Sequence, residues 1–348
     1  MKIHILYDIR SGPWGGGNQF LLALRRHLES QSNYAETPEE ADVLLFDSHH
    51  DIIKVAQAKR RFPNTPFIHR IGGPMRLYNR MSDRRDFVVN VANRLIADGT
   101  VFQSDWSREK NLSLGLVPSP FETIITNAPN PKIFYDDGKT PFSSRGKVRL
   151  IAASWSNNKN KGFDVYRWLD ENLDFSRYEM VFVGNSPVRF RNIRQVSPMK
   201  PEGIAKELKK NDIYITASKV EACSNALVEA LHCGLIALAI YNTSHEESIG
   251  GRGEIFKNPE DIPGLMEKIV TNKHKYLAQP FPPSIKEVGS KYYAFAQSIL
   301  DYVERKEYCP KRLLPWQDLR LKGTLIALKL HERKRTLLRG FVGAEDRV

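Results

Sequence analysis

An apolar run long enough for a strand and scarcely broken by polar residues has to be buried on both faces, and this chain carries four in its second half. They read VRLIAAS (148–154), YEMVFVG (178–184), DIYITAS (212–218) and LIALAIY (235–241). Such strands belong to parallel sheets covered by helices on both sides. Helical patterns fill the gaps: KGFDVYRWLDENL, PEGIAKELKK and SNALVEALHC. The first half alternates in the same way. KIHILYD, ADVLLFDS, PFIHRIG, RLIAD, TVFQS and TIITNAP read as strands, and NQFLLALRRHLES as a helix between two of them. The fold class is therefore α/β, with two Rossmann-like, doubly wound parallel-sheet domains. A length of 348 residues suits two domains, at roughly 100–200 residues each. The polar segment DDGKTPFSSRGK (136–147) is the expected linker, which sets the domains at 1–140 and 146–285, with C-terminal helices in 286–348 expected to pack back on the first domain and end in a basic tail.

Charge sets the first functional limits. The net charge is +12, and residues 311–340 hold nine Lys or Arg against Asp318 and Glu332. A positive surface attracts nucleic acid, anionic lipid or phosphorylated substrates, and charge alone does not choose among them. Within LRLKGTLIALKLHERKRTLLRGF, the residues Leu321, Leu325, Leu328, Ile326, Leu330 and Leu337 form an apolar stripe beside this base. Two readings stand: a helix lying on an anionic membrane surface, or a helix docked on the protein with a solvated basic face. No apolar run approaches the roughly 18 residues that span a bilayer. MKIHILYDIR reads as a first strand, not a signal peptide. Cys223, Cys233 and Cys309 form no CxxC pair. A reduced, cytoplasmic protein is expected.

Several loops at strand ends carry ligand-binding residue types. GPWGGGNQF (12–20) follows the first strand and opens a helix. Its glycines let backbone N–H groups approach a ligand at a helix N-terminus, which favours negative charge. The pattern is G-x-x-G-G-G, so the dinucleotide fingerprint GxGxxG is absent. His69 and Arg70 stand at the end of PFIHRIG, where open α/β sheets bind ligands. A structural histidine is the equal alternative. In SWSNNKNKGFDV, the residues Asn157, Asn158, Lys159, Asn160 and Lys161 crowd a strand-to-helix loop, where amides and amines can hold a diphosphate without a metal. VGNSP places Gly184 and Asn185 at another strand end. In KVEACSNALVEALHCG, Ser224 or Asn225 can cap a helix whose N–H groups then face a cleft.

The same stretch carries two acids, Glu221 and Glu229, seven residues apart in the E-x7-E sense. With the glycine loop, GTVFQSDWS (99–107), TNAPNPKIF (126–134), Lys161-Gly162, ALVEALHCG (226–234) and ESIGGRGEIF (247–256), they occur in the order found in one family. The chain resembles the retaining glycosyltransferases of family 4, which have the GT-B fold of two domains facing a cleft. The resemblance covers about residues 1–305. It implies that the second domain binds a nucleoside-diphosphate sugar. Lys161 would contact the diphosphate, Glu221 the donor sugar, and Glu229 the ribose hydroxyls. Asn157, Lys159, Gly184, Asn185, Ser224, Asn225 and Ala226 would complete the donor site. Gly16 and Gly17 would face the sugar and phosphates, with His69 opposite the donor sugar. The first domain would take the acceptor: a glycan, a glycolipid or another molecule, held for preference at the inner face of a membrane. No obligatory metal or other cofactor is implied, and the chain has no DxD. One departure is Trp155, which stands where many family members carry a phosphate-binding Arg.

Two other classes fit the sequence less well. A nucleotide-sugar epimerase or oxidoreductase would need the missing GxGxxG, and YVERK (302–306) lies too near the chain end to serve as its Y-x-x-x-K. A nucleic-acid-binding protein would account for the charge, but that charge is gathered in one tail and no nucleic-acid motif appears.

Overall fold

The computed structural model describes residues 1–10, 15–143 and 146–345, with side chains as far as Arg333. Gly12 to Trp14 of the glycine run, two linker residues and the side chains of Lys334, Arg335, Leu337 and Arg339 lie outside the described set. The first sheet holds β1 (Ile3–Leu6), β2 (Val43–Asp47), β3 (Phe67–Ile71), β4 (Gly99–Phe102) and β5 (Phe121–Ile124). They lie in the order β1-β2-β3-β4-β5 and every pairing is parallel. The second holds β6 (Val148–Ser154), β7 (Tyr178–Gly184), β8 (Arg194–Val196), β9 (Ile213–Thr216), β10 (Ile236–Ile240) and β11 (Gly253–Phe256). Its order is β11-β10-β9-β6-β7-β8, again parallel throughout. The chain thus forms two parallel-sheet α/β domains.

The helices are α1 (Gly16–Ser30), α2 (Ile52–Arg61), α3 (Met75–Tyr78), α4 (Arg85–Ile96) and α5 (Asp105–Ser113) in the first domain. The second contributes α6 (Phe163–Asn172), α7 (Pro201–Leu208), α8 (Asn225–His232), α9 (His245–Ile249) and α10 (Ile262–Leu277). Two more follow, α11 (Ile285–Glu304) and α12 (Pro315–Glu345). Central strands are buried at every position, as in VLLFD of β2 and FIHRI of β3, which is why they read as continuous apolar runs.

Two sequence expectations need correcting. RLIAD is not a strand: Arg94 to Ile96 close α4, whose Val88, Val91, Ala92 and Leu95 recur at helical spacing and pack on one core. The edge strands β8 and β11 were not anticipated. RQV and GEIF are too short and too polar to stand out, as edge positions allow.

After the second domain the chain returns to the first. Ile285, Val288, Tyr292, Ala296 and Ile299 of α11 join the core formed by α1 and the face of β1 and β2 beneath it. On the opposite face of that sheet, α12 docks with Leu321, Leu325 and Leu328 on the core of α2 and α4. The crossing point is Asp98, fully buried. Its carboxylate accepts from Lys59 Nζ (3.2 Å), Phe67 N (2.8 Å), Tyr308 Oη (2.8 Å) and Lys311 N (2.7 Å). One side chain thereby joins α2, β3 and the segment leading into α12. Removing one partner of a buried pair leaves the other charge unpaired, and Lys59 is wholly buried too. Asp98→Ala should therefore cost about 3–5 kcal/mol. Urea unfolding checks this, and a midpoint equal to that of the parent chain would contradict it.

Candidate active site

The second sheet winds outward in both directions from the neighbouring strands β6 and β9. At such a reversal the loops leaving the two strands diverge and open a crevice at their C-terminal ends. The loop after β6 brings Trp155 to Gly162, and the loop after β9 brings Ala217 to Ser224. They touch closely. Lys219 N donates to the Asn160 carbonyl at 2.7 Å. A Cβ on Gly162 would lie 2.1 Å from the Ala217 carbonyl oxygen, and the backbone there has φ +74°. Only glycine serves at that position.

This crossing sets Lys161 beside Glu221. Lys161 Nζ donates to Glu221 Oε1, and Ser218 Oγ donates to the same oxygen at 2.6 Å. Burial pushes the Glu221 pKa up, but the charge of Lys161 and bonds from Lys161 and Ser218 outweigh it and hold the carboxyl below its ordinary value. Burial pulls Lys161 down, and Glu221 with the Tyr78 hydroxyl holds it above its ordinary value. Each partner therefore favours the charged state of the other. The Lys161 ammonium also lies 5.5 Å from the centre of the Tyr78 ring, which comes from the first domain.

Glu229 stands in a different environment. It projects from α8 into the same cavity, and burial alone pushes its pKa up to about 8. Burial thus favours the protonated form of Glu229 at neutral pH, whereas Lys161 and Ser218 favour the ionised form of Glu221. The cavity measures about 430 Å³. Glycines of the first domain (Gly15, Gly16 and Gly17) form one wall, and Ser224, Asn225 and Ala226 another. Ser224 caps α8, its Oγ accepting from Leu227 N at 3.4 Å. The earlier N–H groups of α8 have no partner within the helix. The same holds for α1, which starts at Gly16. The two helix ends meet: a Cβ on Gly16 would come 2.3 Å from Asn225 Nδ2. Two positive dipole ends from two domains therefore face one space. Val183, Pro198, Met199, Ile204 and Leu208 give that space an apolar side.

Of the residues expected from sequence, Gly16, Gly17, Lys161, Gly184, Glu221, Ser224, Asn225, Ala226 and Glu229 line this cavity. Asn157, Lys159 and Asn185 do not. Asn157 and Lys159 are exposed, and Asn185 Nδ2 is turned to the Trp155 carbonyl at 2.7 Å. Their neighbours tie the domains together instead. Asn158 Nδ2 donates to the Tyr78 carbonyl (3.0 Å), and Asn160 Nδ2 to the carbonyls of Leu77 (3.0 Å) and Tyr78 (2.7 Å).

His69 is a clear correction. It has no exposed surface. Its Nδ1 lies 3.0 Å from Asn93 Oδ1, its Nε2 lies 2.8 Å from the Ser48 carbonyl, and its ring stacks on Phe46 at 4.1 Å. Burial pushes its pKa down to about 4. β3 is the middle strand of five, so both of its faces are covered. The chain leaving β3 meets the second domain at Gly73, beyond the end of the strand, where a Cβ would sit 3.4 Å from Ala222.

Sequence reasoning missed Tyr78, Ser218 and Tyr214, all of which line the cavity. Ser218 had a signal, a hydroxyl at the C-terminal end of a strand; Tyr78 had none. It also missed the second inter-domain clasp. Glu247 of α9 accepts from the Asp105 and Trp106 backbone N–H groups (2.8 and 3.0 Å), capping α5 across the domain boundary. Among the described residues, no three His, Cys, Asp or Glu side chains are grouped so as to hold a metal ion.

Among solved structures the chain is similar to sucrose-phosphate synthase from Thermosynechococcus elongatus, at 11% identity and a TM-score of 0.61, over 97% of this chain and 99% of that one. It is also similar to Anabaena HepE, solved with UDP and glucose, at 13% identity and 0.61, over 87% and 99%. WaaG, a glycosyltransferase involved in lipopolysaccharide biosynthesis, matches at 13% and 0.53, over 87% and 95%. No family model matches the sequence, and no curated protein does. At these identities the likeness concerns the fold, and the chain has the GT-B fold.

The two acids give a pH test. An unfolded Glu229 titrates near 4.5 and the folded one near 8. Between those values the unfolded chain gives up the proton and the folded chain keeps it, so stability falls as pH rises through that window. Glu229→Gln removes this loss. Its stability relative to the parent should climb from about pH 4.5 to pH 8 and then level off. Urea midpoints measured across that range check it; a constant difference between the two proteins would show that Glu229 titrates normally.

Proposed function

We propose that this chain is a retaining glycosyltransferase related to family 4, which moves a sugar from a nucleoside-diphosphate sugar to an acceptor hydroxyl without an obligatory metal. The observation that carries this reading is the Lys161–Glu221 ion pair at the strand reversal, enclosed by the glycine end of α1 and the capped end of α8. When the sugar departs, negative charge grows on the diphosphate. Lys161 and the two helix ends are fixed donors aimed at that charge, which is the arrangement that lowers such a barrier. Glu221 is an acceptor for vicinal sugar hydroxyls. The apolar side of the cavity suits a base. Glu229 lies within reach of a ribose, whose hydroxyls favour the ionised carboxylate. Trp155, 52% exposed at the cavity, replaces the expected cation with a ring, and Lys161 with the helix ends then carries the phosphate charge.

The acceptor comes from the side of the first domain. We read it as a glycan or glycolipid in cell-surface polysaccharide or glycolipid synthesis, worked on at the cytoplasmic face of a membrane. Nucleic acid is not a partner in this reading.

A screen of nucleoside-diphosphate sugars, each incubated with the chain and scored for released nucleoside diphosphate, tests the reaction class. One donor should be hydrolysed slowly without acceptor. Glu221→Gln should lower that rate by about a hundredfold, the scale set by loss of a group that orients the reacting sugar. No turnover with any donor, together with tight, salt-steep binding to bare DNA or RNA, would reject the reading. Glu229 supplies a second test. If ribose hydroxyls ionise it, nucleoside diphosphate binding at pH 7 releases a proton and strengthens as pH rises toward 8. Calorimetry in buffers of different ionisation heat reads the proton directly, and equal heats in all of them would exclude this role.

A further inference from the structure

The apolar stripe of the C-terminal segment is in fact two stripes. Leu321, Leu325 and Leu328 are docked on the first domain. Trp316, Leu319, Ile326 and Leu330 are not: they are 61%, 71%, 58% and 59% exposed. With Gly323 their spacing is three, four, three and four residues, so they form one line along α12. At 100° per residue this line falls opposite the docked one. No described part of the chain covers it.

Bases flank it on both sides. Arg320 borders one edge, and Lys322, Lys329 and Arg333 border the other, all exposed. A helix with a line of large apolar side chains, a tryptophan among them, and bases on both of its edges matches the chemistry of an interface between water and an anionic bilayer. A second copy of the chain fits less well, because pairing these faces would bring both sets of bases together. Nucleic acid would use the bases but not the apolar line. No helix among the described residues is long and apolar enough to cross a membrane, so such a helix would lie on the surface.

We infer that the outer face of α12 is a docking surface for an anionic lipid bilayer. Its direction gives this a consequence. Lys311, just before α12, donates to the carbonyls of Asn93 and Arg94 at the far end of α4. Arg85, at the other end of α4, is held above its ordinary pKa first by its bond to Asp83 and also by the charge of Glu332. α12 therefore runs back along α4 toward the cleft. Asp83 accepts from Asn79 at 2.9 Å, and Asn79 accepts from Asn158 of the second domain at 3.2 Å. A bilayer on this face would reach the rim of the cleft on the acceptor side. That consequence rests on the transferase reading; lipid binding itself does not.

Co-sedimentation of the full chain with two kinds of vesicle tests the surface: phosphatidylcholine alone, and phosphatidylcholine mixed with phosphatidylglycerol. The parent should bind the mixed vesicles and not the neutral ones, and added salt should release it. Two variants separate the contributions. Leu319→Gln, Ile326→Gln and Leu330→Gln together remove the apolar line. Arg320→Gln, Lys329→Gln and Arg333→Gln together remove charges worth roughly a tenfold or greater loss of partitioning. Each should bind mixed vesicles at least about tenfold more weakly, with an unchanged circular dichroism spectrum and unchanged release of nucleoside diphosphate from a soluble donor. Parent-like binding by both variants would overturn the proposal. So would a parent that ignores anionic vesicles, or one that sediments as a dimer which the apolar variant dissociates.

Discussion

The architecture of this chain converges on one contact, the ion pair between Lys161 and Glu221. Lys161 ends a single 3-10 turn, Lys159–Lys161, and Glu221 lies outside any helix or strand. Both lie in segments leaving the two strands where the second sheet reverses its winding, and those segments meet because Gly162 lets one backbone pass against the other. The pair is then closed off by the first domain: Tyr78 lies beside the ammonium, and Asn158 and Asn160 reach across to hold the strand of chain that carries Tyr78. A cavity built on this contact has charge at its base, helix ends on two walls and apolar side chains on a third. Burial also separates the two acids. Glu221 has a cation and a hydroxyl that favour its ionised form, while Glu229 has neither, and burial favours its protonated form. Two carboxyl groups eight positions apart in the sequence are thus pushed in opposite directions.

The first domain is organised around a different buried charge. Asp98 is a hub for α2, β3 and the segment that returns to this domain from the second. Because the returning chain is fixed there, α12 has to run along α4, and one of its faces is used up in docking. What remains is an outward face of large apolar residues and bases. The division of labour along one helix follows from where Asp98 sits.

Much of this was legible in the sequence. Buried parallel strands read as apolar runs because both their faces are covered, and the two-domain α/β fold follows from their alternation with helices. Lys161, Gly162 and the Ser224 cap were visible because loops at strand ends in such folds carry ligand-binding groups, and Glu221 through the resemblance that its spacing from Glu229 carries. What escaped detection depended on three dimensions. RLIAD has the composition of a strand but belongs to α4, because its apolar residues continue a helical spacing begun earlier. His69 looked like a cleft residue because it comes near a strand's end, yet its strand is central and its ring is sealed on both sides. Asn158 and Asn160 bind the partner domain while Asn157 and Lys159, one residue away in each case, face solvent. Loop composition cannot tell those apart. The apolar stripe of α12 could be seen in sequence, but its division into a docked line and an exposed line required knowing which side faces α4.

The central claim is that the crevice between β6 and β9 holds a nucleoside diphosphate. A crystal structure of the chain with the nucleoside diphosphate it releases tests this most directly. The account predicts phosphate oxygens between the N–H groups at Gly16 and Gly17 and those at Asn225 and Ala226, with Lys161 in contact and the ribose beside Glu229. A nucleotide bound elsewhere, for example at the strand ends of the first sheet with this cavity empty, would contradict it.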